Sequence, residues 1–82
     1  MENLEIEETI KKVFLDVFPE IDESTFDFNS AQTDYENWDS FAHLRLVTEI
    51  EKKFNLKLDM DDVIYLASAA NFLDLVKKKL NP

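Results

Sequence analysis

The residues of this 82-residue chain that could do chemistry lie around Ser40. Ser40 and His43 are three positions apart, so on a helix they share a face, where a histidine can activate a serine as a nucleophile. Such a pair also requires a third group that orients the histidine, together with donors that bind an oxyanion. No residue pattern in the sequence supplies these parts. We therefore predict that the chain is not an enzyme and that His43 is an ordinary surface residue.

A second chemistry open to Ser40 is the attachment of a phosphate group. Asp39 is a good N-cap, and a hydroxyl at the positive end of a helix is well placed to carry a phosphate. The apolar residues that follow recur at spacings of three, three, three and four, which predicts one shared helix face: Phe41, Leu44, Val47, Ile50 and Phe54. The alternative is that Ser40 is only the first residue of a helix and stays unmodified.

Composition removes several other kinds of site. The chain has no cysteine, which excludes disulfides, thiolate metal sites and cysteine catalysis, and it has no glycine, which excludes Gly-rich phosphate loops. The aspartates at 59, 61 and 62 could suggest a calcium-binding loop. Such a loop requires glycine at its sixth position and glutamate at its twelfth, but a loop that starts at Asp59 has Ile64 and Ala70 there. Helix capping explains these aspartates better, so we predict no metal site.

The chain is acidic, with a net charge of −9. Residues 20–62 hold twelve acidic and four basic residues, so this middle segment carries nearly all of the charge. Such a surface repels nucleic acid and anionic lipid and favours basic protein partners. No segment is apolar for long enough to span a membrane, and the acidic amino terminus is unlike a signal peptide, so we expect a cytoplasmic protein.

Hydrophobic periodicity predicts four helices, over residues 3–18, 40–54, 60–66 and 69–80. Pro19 ends the first helix. The connection over 19–39 is long for a small domain, and we expect its four aromatic residues to pin it to the helices and one short helical turn to lie within it: Phe26, Phe28, Tyr35 and Trp38. We therefore predict one all-α domain over 1–82, a four-helix bundle with three longer helices, one short helix and a long first loop.

The stretch Asp39-Ser40-Phe41 resembles the Asp-Ser-Leu motif that opens the second helix of the acyl and peptidyl carrier proteins. The hydrophobic positions and the Glu-x-x-Phe end of that helix also match: Leu44, Leu46, Val47, Ile50, Glu51 and Phe54. A short acidic turn and helix follow in the family, matched here by residues 58–66, and its last helix often reads Asp-Leu-Val, matched by Asp74-Leu75-Val76. The resemblance covers nearly the whole chain and implies a bundle of the acyl-carrier type.

The resemblance implies that Ser40 is joined to phosphopantetheine, from coenzyme A, and carries acyl or aminoacyl groups as thioesters. Asp39 would cap the helix and also contact the transferase or its metal ion. Implied partners are a phosphopantetheinyl transferase, an acyl-loading ligase or acyltransferase, and synthase or condensing enzymes, which would act on a monomer. The expected partner contacts are five residues of the second and third helices: Phe41, Arg45, Glu51, Met60 and Ile64.

The chain departs from the family pattern at three points. Many members place a glycine shortly before Asp-Ser, where Asn37 and Trp38 stand, and Phe41 replaces the usual leucine. The helix of fatty-acid carriers is usually strongly acidic, whereas residues 40–54 contain two acids and three bases. We therefore expect a carrier for a specialised fatty-acid, polyketide or related pathway. The alternative function is an unmodified acidic helical module that binds a basic partner.

Overall fold

The computed structural model describes residues 3–80, and its elements follow the order predicted from the sequence. Residues 3–80 form four α-helices, together with one 3-10 turn at Gln32–Asp34 in the long first loop: α1 (Asn3–Val17), α2 (Ser40–Phe54), α3 (Met60–Tyr65) and α4 (Ala69–Leu80). The prediction of an all-α fold with three longer helices and one short helix is confirmed. Helices α1 and α3 each end one residue earlier than predicted. None of the helices in this range is long and apolar enough to cross a membrane.

Helix α1 lies at the centre of the bundle and packs against both α2 and α4. Its apolar face, formed by residues at helical spacing, is fully in the core: Ile6, Ile10, Val13, Phe14 and Val17. Phe72 and Val76 of α4 are also buried, while Leu73 and Leu80 are partly buried against the same core. Burial of these aliphatic and aromatic side chains is the main force that holds the helices together.

The apolar row that the sequence pattern predicts along α2 is divided between the core and the surface. Phe41 and Leu44 are exposed, and the buried residues of the helix are Ala42, Leu46, Val47, Ile50 and Phe54. Successive steps of three residues drift about 60° around a helix per step, because one turn takes 3.6 residues. After three such steps a row that starts at Phe41 has moved to the opposite side, so only its later members can face α1.

Local capping interactions define the ends of the helices. Ser68 caps α4, since its Oγ accepts the backbone N–H of Asn71 at 3.1 Å. Asn55 ends α2 in the left-handed conformation, with φ 54° and ψ 50°, which asparagine tolerates better than most residues. These polar residues begin and end helices in a chain that has no glycine.

The long first loop is fastened to the bundle by aromatic side chains, as predicted. Phe14 of α1 contacts Phe26 and Trp38 at ring-centroid distances of 5.9 and 5.5 Å, and Tyr35 lies 4.9 Å from Phe18. The backbone adds two further attachments to the junction of α3 and α4, from Gln32 N–H to the Ala67 carbonyl and from Ala70 N–H to the Phe28 carbonyl. The loop thus has a defined path, and it delivers Trp38 and Asp39 to the start of α2.

Candidate functional site

Ser40 is the first residue of α2 and is exposed to solvent. Asp39 precedes it as the N-cap, and its Oδ1 accepts the backbone N–H of Ala42 at 2.9 Å. The Asp39 carbonyl accepts the N–H of His43 at 2.9 Å, which begins the helical hydrogen-bond series. The capping role predicted for Asp39 is confirmed. The Ser40 hydroxyl is therefore presented at the positive end of an ordered helix, where a negatively charged group is favoured.

His43 is not the surface residue that the sequence predicted. It is half-buried, and Trp38 Nε1 donates a hydrogen bond to its Nδ1 at 2.9 Å. Its Nε2 lies 3.0 Å from the carbonyl oxygen of Val63. An indole N–H only donates and a carbonyl only accepts, so the two contacts select the neutral imidazole with its proton on Nε2. We call these three residues the Trp38–His43–Val63 bridge.

The bridge joins three parts of the chain that surround Ser40. Trp38 lies in the loop before the cap, His43 lies one turn into α2, and Val63 lies in α3. Trp38 is buried, as expected of an aromatic residue that pins the loop, and it stacks on His43 one turn into the helix. Both ring nitrogens of His43 are directed to these partners rather than to Ser40.

Large apolar side chains are exposed on α2 and α3. The exposed fractions are 82% for Phe41, 59% for Leu44, 77% for Met60, 71% for Ile64 and 81% for Tyr65. The bond between His43 and Val63 places the first turns of α2 beside α3, so these residues lie on neighbouring helices. Large apolar side chains that are exposed on neighbouring helices are typical of interaction surfaces when they form one patch.

The two charged residues expected to contact partners differ in their surroundings. Arg45 is exposed. Glu51 is half-buried, and its Oε2 accepts the backbone N–H of Leu58 at 2.9 Å. Glu51 therefore fastens the connection between α2 and α3, a role that the sequence did not indicate.

The acidic turn before α3 is organised by capping. Asp62 Oδ2 accepts the backbone N–H of Asp59 at 3.2 Å and also lies 3.2 Å from Lys79 Nζ of α4. These contacts hold the pKa of Asp62 below its ordinary value, the backbone hydrogen bond being the larger cause and Lys79 the next. Within residues 3–80, no three histidine, cysteine or carboxylate residues are grouped closely enough to hold a metal ion.

Sequence reasoning missed three residues of this region. The spacing pattern places Leu44 on one face with Val47 and Ile50, but the row drifts around the helix and leaves Leu44 exposed. No residue pattern pointed to Tyr65, which is exposed on α3. In a capping staple, the residue before the N-cap packs on the residue at the fourth helical position. Trp38 and His43 occupy these two positions, so this pattern could have identified His43 from the sequence.

Neither a scan against protein-family models nor a search of the curated proteins gave a match to this chain. The resemblance to carrier proteins therefore depends on the residues around Ser40 and on the order of the helices.

Proposed function

We propose that this chain is a carrier protein whose Ser40 is joined to phosphopantetheine and which carries acyl or aminoacyl intermediates for a specialised fatty-acid, polyketide or related pathway. The observation that carries the proposal is the exposure of Ser40 at the first position of α2. A buried hydroxyl would be out of reach of an attaching enzyme. The order of the elements, with a long first loop and a short third helix, also agrees with what the resemblance implies.

The residues around Ser40 fit the attachment of a phosphodiester. Ser40 Oγ would bond to the phosphorus of the phosphopantetheine group as the pyrophosphate bond of coenzyme A breaks; adenosine bisphosphate would leave and the hydroxyl proton would pass to solvent. The helix N-terminus would favour the added negative charge by about 0.3–1 kcal/mol. Asp39 holds the first turn in place through its bond to Ala42. The arm supplied by phosphopantetheine ends in a thiol that holds the acyl group as a thioester. In this role the chain is a substrate of other enzymes and performs no catalysis itself.

The exposed apolar residues of α2 and α3 are the surface on which we propose that these enzymes dock. Phe41 is adjacent to Ser40 in sequence and is the most exposed of them. An enzyme that reaches the Ser40 hydroxyl must also cover Phe41, and burial of a large aromatic side chain is a strong contribution to binding. Proposed partners are a phosphopantetheinyl transferase, an acyl-loading ligase or acyltransferase, and synthase or condensing enzymes. We propose that they act on a cytoplasmic monomer.

The test of this function is enzymatic loading in vitro. The purified chain is incubated with coenzyme A, Mg²⁺ and a broad-range phosphopantetheinyl transferase, and its intact mass is measured. We expect the mass to rise by one phosphopantetheine group in the wild type and in Ser30→Ala, but not in Ser40→Ala. An unchanged wild-type mass, in a sample shown by circular dichroism to be folded, would contradict the proposal.

The second candidate function is an unmodified acidic interaction module, and the concentration of carboxylates over residues 20–62 favours it. In that case Ser40 would have no chemical role. Recovery of only unmodified protein from the native host, together with a partner that binds wild type and Ser40→Ala equally well, would support this function instead.

A further inference from the structure

The long first loop encloses a groove of about 290 Å³ that the proposed function does not use. Its floor is formed by Ile21, Phe26 and Tyr35, which are half-buried and pack against the core. Tyr35 is held by Phe18 at 4.9 Å and by Trp38 at 5.0 Å between ring centroids. The floor is therefore a fixed apolar surface with an aromatic ring on it.

The edge of the groove is formed by four exposed carboxylate residues: Glu20, Asp27, Asp34 and Glu36. None of the side chains that line the groove is basic. Asp27 and Asp34 accept hydrogen bonds from the backbone N–H groups of Asn29 and Ala31, which orient the carboxylates without neutralising them. Burial, together with the charges of Asp27 and Asp34, raises the pKa of Tyr35. The negative field of the edge thus reaches the ring on the floor.

An occupant of this groove must be cationic and must also have a flat or apolar body. A bare metal ion does not fit this description, because no metal-binding group of three side chains is found within residues 3–80. A guanidinium group does, since it is planar, stacks on aromatic faces and binds carboxylates through several N–H donors. We propose that the groove binds an arginine side chain of a protein partner.

The groove lies close to Ser40 along the chain, because Tyr35 and Glu36 precede it by five and four residues. Tyr35 also packs on Trp38, which anchors the start of α2. A partner that inserts an arginine here would therefore contact the segment that leads into α2. The binding itself does not depend on modification of Ser40, so this proposal holds or fails independently of the proposed function.

The probe for this site is the tripeptide acetyl-Ser-Arg-Ser-amide, titrated into the full-length ¹⁵N-labelled chain and followed by NMR. Its control is the same peptide with citrulline, which keeps the shape of arginine but has no charge. We expect saturable shifts at the amides of Ile21, Phe26 and Tyr35 with the arginine peptide alone, equally in wild type and in Ser40→Ala. Equal shifts with both peptides, or shifts spread over all acidic parts of the surface, would overturn the proposal.

Two substitutions test whether the edge of the groove contributes. Glu36→Gln removes one charge from the edge, and Glu8→Gln removes one from the exposed side of α1. We expect Glu36→Gln to weaken binding of the arginine peptide about threefold, in the range of an exposed ion pair, and Glu8→Gln to leave it unchanged. The same affinity in both variants would show that the peptide responds only to net charge, against the proposal.

Discussion

At the scale of single residues, the contact between Trp38 and His43 fastens the loop that precedes α2 to the first turn of that helix, which Ser40 begins. Trp38 is buried, so its indole N–H needs an acceptor within the protein, and His43 Nδ1 provides it. The other ring nitrogen reaches Val63, so one side chain ties the approach to α2 and the start of α2 to α3. A residue that looked unimportant in the sequence therefore supports the exposed serine.

Replacement of His43 should destabilise the fold. His43→Leu retains much of the side-chain volume but leaves the Trp38 N–H without its acceptor, so we expect the free energy of unfolding to fall by about 1–3 kcal/mol. Urea unfolding followed by circular dichroism measures this change. Thr48→Leu, at an exposed position of the same helix, is the control and should have little effect. Equal stability of the two variants would contradict the role of the bridge.

Asp22 gives a prediction for the dependence of stability on pH. Its Oδ1 accepts hydrogen bonds from the Ser24 hydroxyl at 2.7 Å and from the N–H groups of Ser24 and Thr25. The Ser24 hydroxyl, followed by the contacts with Thr25, lowers the pKa of Asp22 from its ordinary value of 3.8. Folding therefore favours the ionised form of Asp22. The stabilisation that the Asp22 carboxylate contributes is present above pH 3.8 and is lost as the pH falls through the lower pKa of the folded state.

We therefore expect Asp22→Asn to melt at a lower temperature than the wild type near neutral pH and the two melting temperatures to converge in acid. Thermal unfolding measured from about pH 6 down to about pH 2 tests this. A difference that stays constant across that range would show that the charge of Asp22 does not contribute.

At the scale of elements, the rotation of α2 about its axis decides which side chains form the core and which form the surface. The helix buries Leu46, Val47 and Ile50 against α1 and thereby turns Phe41 and Leu44 outward. The exposed pair then lies at the end of α2 that begins with Ser40. The docking surface that we propose is thus a direct result of how the bundle packs.

A matched pair of leucine substitutions tests this rotation. Leu46→Ala creates a cavity in the core and should lower the free energy of unfolding by about 2–5 kcal/mol. Leu44→Ala removes an exposed side chain and should change it by less than about 0.5 kcal/mol. Chemical unfolding of the two variants provides the measurement. A larger loss for Leu44→Ala than for Leu46→Ala would mean that the helix is rotated differently.

At the scale of the whole molecule, most of the negative charge is not paired. The net charge is −9, and two ion pairs are found within residues 3–80, Lys11 with Glu23 at 3.8 Å and Lys79 with Asp62 at 3.2 Å. The carboxylates of residues 20–62 therefore repel one another in the folded state. This repulsion reduces stability and at the same time provides a field that attracts basic partners.

Screening of this repulsion should stabilise the protein. We expect the melting temperature to rise as NaCl is increased from low ionic strength to about 0.15 M, where the Debye length falls to about 8 Å. Each kcal/mol by which screening raises the free energy of unfolding should raise the melting temperature by about 4–8 °C for a domain of this size. Scanning calorimetry over a salt series measures the effect. A melting temperature that is independent of NaCl would contradict this account of the charge.

The sequence alone was sufficient to predict the helices, the long loop and the N-cap at Asp39, because caps, proline stops and hydrophobic periodicity act between residues that are close along the chain. The aromatic anchoring of the loop was also predictable, since large apolar rings must be buried somewhere in so small a domain. The outward position of Leu44, the half-buried bridge at His43 and the hydrogen bond of Glu51 to Leu58 were decided only by the tertiary structure. Each depends on how α2 is rotated and on what lies opposite it, and those contacts join residues far apart in the sequence.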